Sequence, residues 1–258
     1  MTIQITTRLA YDFAEPSDVL LQIEAALIPE QTVLDAWIDI AQCDHFARVA
    51  AHDGIGERIW LRTHGRFTVD YRATVTIDRI LPDLAALPVV PFHLLPGETV
   101  QYLMASRYCP SDLFEDFVTA EFDHLTGGAK IAAMRDWIED CFTYESGAST
   151  SATTALESFV QRKGVCRDYA HVLITLARAS GIPARIASVY ALGVDPQDFH
   201  AVAEVFLDGA WHLVDATGMA RAGDMAKIGV GRDAADVAFL TSYGNATFCE
   251  QVVTVTAA

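Results

Sequence analysis

The chain has 258 residues, of which 52% are hydrophobic and 20% are charged. This balance is typical of a folded protein and excludes intrinsic disorder. The 34 acidic residues outnumber the 18 basic ones, so the formal net charge is −16. A surface of that sign repels nucleic-acid phosphates and anionic lipid. We therefore expect neither a nucleic-acid-binding protein nor a membrane-surface protein.

The apolar runs and the cysteines indicate the compartment. No apolar run reaches the ~20 residues that span a bilayer, and the first residues alternate apolar and polar instead of forming the core of a signal peptide. The five cysteines contain no CxxC pair, which disfavours a disulfide framework or a structural zinc site; they are Cys43, Cys109, Cys141, Cys166 and Cys249. We expect a cytoplasmic protein with reduced thiols.

The first 95 residues have the pattern of β-strands. Four stretches alternate apolar and polar residues or are rich in β-branched and aromatic ones: 3–11, 19–25, 57–63 and 66–78. His64-Gly65, between the last two, predicts a tight hairpin turn. Together these signals predict an N-terminal β-sandwich domain over residues 1–95. Four prolines within 81–97 predict a linker.

After this linker the hydrophobic period becomes helical. The spacing predicts four helices, at about 110–122, 131–141, 155–162 and 166–180. Strand patterns follow at 184–192, 200–207, 210–215 and 247–256. Helices followed by an antiparallel sheet give an α+β class. We expect residues 96–258 to form a second domain.

Cys166 is the candidate nucleophile. It lies in the first turn of the fourth predicted helix, where free backbone N–H groups and the positive end of the helix dipole favour an anion. We therefore expect a reactive thiolate at this position. Cys141 instead continues the apolar spacing of Met134 and Ile138, which predicts a buried and slow thiol.

A thiolate nucleophile needs a base, and a predicted hairpin supplies one. Asp208-Gly209 between two alternating runs predicts a two-residue turn. In the resulting register His200 and Asp215 are diagonal neighbours on one face of the sheet, within side-chain reach. The carboxylate would then orient the imidazole. Glu204 shares this face and is an alternative orienting carboxylate, whereas His212 falls on the opposite face.

Two other kinds of site match the sequence poorly. A metal site built from Cys166, Asp168, His171 and His200 matches no usual ligand spacing. The glycines at 229–234 superficially resemble a dinucleotide loop, but no long helix follows them. We therefore expect neither a metal nor a cofactor.

Four segments together resemble the transglutaminase-like superfamily, and more narrowly its bacterial members that carry an N-terminal β domain. They are GVCRDYAH at 164–171, GIPAR at 181–185, DFHA at 198–201 and WHLVDAT at 211–217. The resemblance extends over about residues 100–245 and has the family's order of Cys, His and Asp. It implies a papain-like α+β core in which the nucleophile begins a helix packed against a sheet.

By this resemblance Cys166 is the nucleophile, His200 the base and Asp215 the orienting carboxylate, which agrees with the hairpin register. Other residues of the matching segments are expected to bind substrate or to support the site: Asp168, Tyr169, His171 and Tyr190. The resemblance implies cysteine-dependent acyl transfer on the amide bond of a peptide or other amide through a thioester. Hydrolysis by a peptidase or amidase is favoured over cross-linking; the alternatives are transamidation to an amine and a non-catalytic peptide-binding scaffold.

Overall fold

A computed structural model describes residues 1–258 and confirms the α+β class. The five helices are α1 (Glu115–Phe122), α2 (Gly127–Cys141), α3 (Ala155–Gln161), α4 (Cys166–Ala179) and α5 (Ala234–Val237). The first four correspond to the predicted helices. None of the helices has the length and apolar character needed to cross a membrane.

The strands form one six-stranded sheet, one four-stranded sheet and one short pair. In chain order they are β1 (Thr2–Leu21), β2 (Gln31–Ile40), β3 (His45–Ala50), β4 (Glu57–Ile77), β5 (Thr143–Tyr144), β6 (Lys163–Gly164), β7 (Ala184–Ala191), β8 (His200–Leu207), β9 (Ala210–Val214), β10 (Met225–Gly231), β11 (Leu240–Ser242) and β12 (Ala246–Ala257). Gly229 and Gly231, the glycines of the segment 229–234, thus lie in β10 and not in a phosphate-binding loop.

The strands assigned to a β-sandwich lie in the six-stranded antiparallel sheet. β1 and β4 are its long central strands, and they pair along most of their length. Alternate residues of both strands, such as Ile5 and Leu9 opposite Ala73 and Val69, point to one buried face. Because side chains alternate between faces along a strand, the other face carries charged residues such as Arg8.

The predicted hairpin at His64-Gly65 is wrong. β4 continues through both residues, and Gly65, with φ 68°, lies opposite Phe13 of β1. The register then shifts, so that Ser17 pairs with Thr63. Both segments of β4 therefore pair with β1 instead of with each other, and the glycine accommodates a local irregularity in the ladder rather than a chain reversal.

The last strand is found in an unexpected sheet. The sequence groups 247–256 with the strands of the second half, but β12 pairs with β1, from Ile3 opposite Ala257 to Phe13 opposite Ala246. β11 continues this edge beside residues 19–21. The six-stranded sheet therefore combines both ends of the chain. The domain boundary at residues 95 and 96 stays a prediction.

The four-stranded sheet has the order β10-β7-β8-β9, and α4 packs against β7 and β8. Val172 and Leu176 of this helix belong to the same buried cluster as Ile186 and Val205 of the sheet. Burial of such side chains stabilises the fold by about 1.5–3 kcal/mol each. Gly181, with φ 73°, ends the helix in a conformation that favours glycine. This packing fixes the start of α4 relative to β8.

Candidate active site

Cys166 is the first residue of α4, and the preceding backbone is tightly fixed. The buried carboxylate of Asp168 accepts a hydrogen bond from the backbone N–H of Val165 at 2.8 Å and one from the Ser149 hydroxyl at 2.5 Å. A Cβ at Gly164 would lie 2.6 Å from Asp168, so only glycine fits there. Asp168 thus caps the start of α4. Cys166, the first residue of this helix, is half-buried.

His200 begins β8, and Asp215 directly follows β9. The two-residue turn at Asp208 and Gly209 has φ values of 50° and 77°, and Leu207 pairs with Ala210 as the sequence predicts. The His200 Nε2 lies 2.8 Å from Asp215 Oδ2, and both side chains are buried. The hairpin register therefore brings the imidazole and the carboxylate together.

Asp215 is itself held by several donors. Its Oδ1 accepts hydrogen bonds from the backbone N–H and the hydroxyl of Thr217, at 2.9 and 2.8 Å, and its Oδ2 accepts one from the Ala220 N–H at 3.1 Å. Burial alone would raise the pKa of Asp215, but His200 and Thr217 lower it. The carboxylate is therefore charged and fixed in orientation.

The electrostatics favour a charged imidazole at His200. Burial alone would lower its pKa, but Asp215, which is hydrogen-bonded to the ring, and the nearby Cys166 raise it to about 10. Its second ring nitrogen, Nδ1, is buried and has no hydrogen-bond partner within the usual geometry. Because Asp215 occupies Nε2, Nδ1 is the nitrogen that can exchange a proton with the Cys166 sulfur or with a bound substrate.

Cys166 and His200 line one cavity of about 320 Å³, a size suited to a small ligand or part of a peptide. The remaining lining residues are mostly apolar: Tyr108, Ser151, Arg167, Ile186, Ser188, Asp198, Phe199, Ala201, Ala234, Val237, Ala238 and Phe239. Asp215 lies behind His200 and outside this lining. The cavity thus presents a thiol and an imidazole to an otherwise mainly apolar pocket.

The other site residues predicted on α4 support the cavity without lining it. Tyr169 lies in the core, with its ring 5.4 Å from that of Phe142. His171 is fully buried, stacks on Tyr108 at 5.2 Å and accepts a hydrogen bond from the Ala234 N–H at 3.1 Å. Burial lowers the pKa of His171 to about 4, so its ring is neutral. His171 therefore contacts Tyr108 and Ala234, two residues that line the cavity, from the side facing the core.

Tyr190 is not part of the cavity lining and lies behind Phe199, in the core beneath the six-stranded sheet. Its hydroxyl donates a hydrogen bond to the Ile23 carbonyl at 2.7 Å and accepts one from the Thr7 hydroxyl at 3.0 Å. Its ring stacks on Tyr71 of β4 at 6.2 Å. Tyr190 thus joins the two sheets and does not reach a substrate in the cavity.

Glu204, the alternative orienting carboxylate, is occupied elsewhere. It accepts hydrogen bonds from Arg185 Nε at 2.7 Å and from Lys227 Nζ at 2.5 Å. Burial alone would raise its pKa, but these two cations lower it to about 2. Arg185 and Lys227 in turn contact Asp53 and Glu30 of the first half. Glu204 is therefore the centre of a buried ionic network that links the four-stranded sheet to the first half of the chain.

Two residues near Cys166 are not evident from the sequence. Ser149 bonds to Asp168, and Tyr144 lies opposite Gly164 in the parallel pairing of β5 with β6. Burial and the adjacent Cys166 raise the pKa of Tyr144. A pairing of two-residue strands leaves no periodic pattern, so no signal in the sequence marks either residue.

Comparison with known proteins agrees with this architecture. Residues 116–216 match the family model of the transglutaminase-like superfamily. The crystal structure of a "Putative Cysteine Protease" from Cytophaga hutchinsonii is 31% identical and has a TM-score of 0.91, and the match covers 99% of this chain and 90% of that chain.

Two curated mycobacterial relatives are uncharacterized proteins. ML0607 of Mycobacterium leprae is 30% identical over 145 residues, which are 52% of each chain. Rv2569c of Mycobacterium tuberculosis is 44% identical over 55 residues, which are 21% of this chain and 17% of the relative. The matches span about half, or less, of the length of these curated relatives.

The family match extends from α1 to the residue after Asp215, and the similarity to the Cytophaga protein covers nearly the whole of both chains. The fold around Cys166 is that of transglutaminase-like cysteine proteases, as the sequence predicts. The chain belongs to the transglutaminase-like superfamily.

Proposed function

We propose that this protein is a cysteine peptidase or amidase that acts through Cys166, His200 and Asp215. One observation carries the proposal: the Asp215 carboxylate holds Nε2 of His200 at 2.8 Å, while Nδ1 is left unpaired beside the cavity that Cys166 lines. This is the arrangement of nucleophile, base and orienting group that nucleophilic catalysis requires.

In the proposed reaction the Cys166 thiolate attacks the carbonyl carbon of an amide. The C–N bond breaks, His200 donates its Nδ1 proton to the departing amine, and the acyl group remains on sulfur as a thioester. His200 then removes a proton from water, the water oxygen attacks the thioester, and the acid leaves as the C–S bond breaks. The backbone N–H of Cys166 is one donor to the oxyanion.

Hydrolysis is proposed ahead of transamidation because the Cytophaga relative, similar over nearly the whole chain, carries the name of a protease. A non-catalytic scaffold is disfavoured, since it has no need of a charged imidazole held beside a thiol.

All five cysteines are unpaired in the structure, which supports the proposal of a cytoplasmic location.

Selective alkylation tests the nucleophile. We expect iodoacetamide at pH 6 to label Cys166 first and His200→Ala to slow this labelling at least about tenfold, because the positive partner of the thiolate is lost. Asp215→Ala should slow it less, since the imidazole remains. Cys141 is the matched control because, against the sequence prediction, it is exposed at the end of α2. Peptide mapping that finds Cys141 labelled as fast as Cys166 would refute the assignment.

Turnover tests the reaction class. Wild type and Cys166→Ala should be compared on a library of fluorogenic peptide amides, with and without a fluorescent primary amine. Cleavage that disappears in Cys166→Ala supports a peptidase. Covalent incorporation of the amine would indicate transamidation, and peptide binding without either product would indicate a scaffold.

A further inference from the structure

One wall of the cavity carries a carboxylate that has no cation partner. Asp198 lies at the rim, two residues before His200, and lines the same cavity. It forms no ion pair with any Lys, Arg or His side chain within 4.0 Å. Besides Asp198 and the imidazole of His200, the lining contains one more charged residue, Arg167. Its guanidinium is already paired with Asp168 at 3.1 Å. Asp198 therefore lacks an ion-pair partner, and the imidazole of His200 is the cationic group of the pocket that acts on it from a distance.

The Asp198 carboxylate is held in place from two sides. Its Oδ1 accepts hydrogen bonds from the Phe199 N–H at 2.7 Å and from the Gln251 side-chain amide at 2.5 Å. Gln197 is paired to Val255 by two further hydrogen bonds of 3.1 Å. Strand β12 thus fixes the loop before His200, and the second carboxylate oxygen is left without a hydrogen-bond partner.

The surroundings of Asp198 favour binding of a cationic substrate group. Asp198 is exposed at the rim, and partial desolvation still raises its pKa, although its two hydrogen bonds and the nearby His200 oppose this shift. Phe199 and Phe239, stacked at 4.6 Å, form an apolar surface on the same cavity wall. In addition, the net charge of −16 attracts cationic molecules to the protein as a whole.

The position beside His200 indicates which part of a substrate would meet Asp198. His200 delivers a proton to the departing amine, so groups attached to that amine lie on its side of the cavity. We propose, building on the proposed function, that Asp198 selects amides with a positive charge on the leaving-amine side, such as a lysine or arginine side chain directly after the scissile bond.

Matched alkylating probes test this without turnover. Three chloroacetamides of equal length carry an ammonium, a methyl or a carboxylate at the end of the amide substituent. We expect the cationic probe to alkylate Cys166 about three- to tenfold faster than the neutral one at low salt, and the anionic probe to be slowest. In Asp198→Asn the ratio of cationic to neutral rates should fall towards one.

Two controls separate a local effect from the general field. Asp195→Asn removes the same charge from the same loop outside the cavity lining, and it should leave the ratio unchanged. For wild type, 0.5 M NaCl should reduce the ratio, a measurement that needs no variant. A wild-type ratio near one, or an equal loss of preference in Asp195→Asn, overturns the inference. Failure of Cys166 to react ahead of Cys141 with even the neutral probe would instead overturn the proposed function itself.

Discussion

The pairing of His200 with Asp215 controls the charge at the centre of the candidate site. We expect Asp215→Asn to lower the pKa of His200 from about 10 towards its ordinary value near 6.5, because the amide keeps the shape of the carboxylate but not its charge. NMR titration of the imidazole resonances would measure the change. The rate of amide cleavage should fall by about 10²- to 10⁴-fold. An unchanged His200 titration would show that another group holds the ring.

At this scale the sequence predicted the geometry that local chemistry determines. An Asp-Gly turn requires positive φ at both residues, which fixes the hairpin register and therefore brings His200 to Asp215. Cys141 was predicted to be buried, which is wrong, because α2 ends there and Phe142 takes the buried position instead. Periodicity continues only as far as the helix itself.

Among the elements, the ionic network that joins β7, β8 and β10 should contribute strongly to stability. We expect Glu204→Gln to lower the free energy of unfolding by about 3–5 kcal/mol, because Arg185 and Lys227 would remain buried without their shared carboxylate. Urea denaturation at pH 7 measures this loss. Glu250→Gln, which breaks an exposed pair with Arg8, is the control and should cost less than about 1 kcal/mol.

The same network makes the free energy of unfolding depend on pH. The pKa of Glu204 is about 2 in the folded protein and near 4.5 when unfolded, so its contribution is present above about pH 4.5 and is lost as the pH falls through 2. Wild type and Glu204→Gln should therefore converge in stability as the solution is acidified. A difference that stays constant from pH 7 to pH 3 would show that Glu204 is not the titrating group.

The elements of the second half were largely predictable, because each has its own hydrophobic period. Whether strand segments pair with each other or with a third strand is decided by distant residues. His64-Gly65 looks like a turn locally, yet β1 pairs with the segments on both sides of it. The ionic network around Glu204 was equally invisible, since its partners are separated by long stretches of chain.

Over the whole molecule, the two halves should unfold together. Tyr190 is bonded to Thr7 and Ile23, and β12 completes the sheet that β1 begins. We therefore expect urea unfolding followed by tryptophan fluorescence and by far-UV circular dichroism to give coincident single transitions. Deletion of residues 246–258 should lower both midpoints together. Two separate transitions would instead support independent domains divided near residue 95.

The pairing of β1 with β12 also sets the order of events during synthesis. The first strand leaves the ribosome more than two hundred residues before its partner, and until then one long edge of its backbone has no strand to bond with. Contacts this distant in sequence form slowly and only after much of the chain has been ordered. An unpaired strand edge of this kind can form backbone hydrogen bonds with strands of other chains and so cause aggregation. Nascent chains of this protein should consequently depend on chaperones until the final strand emerges.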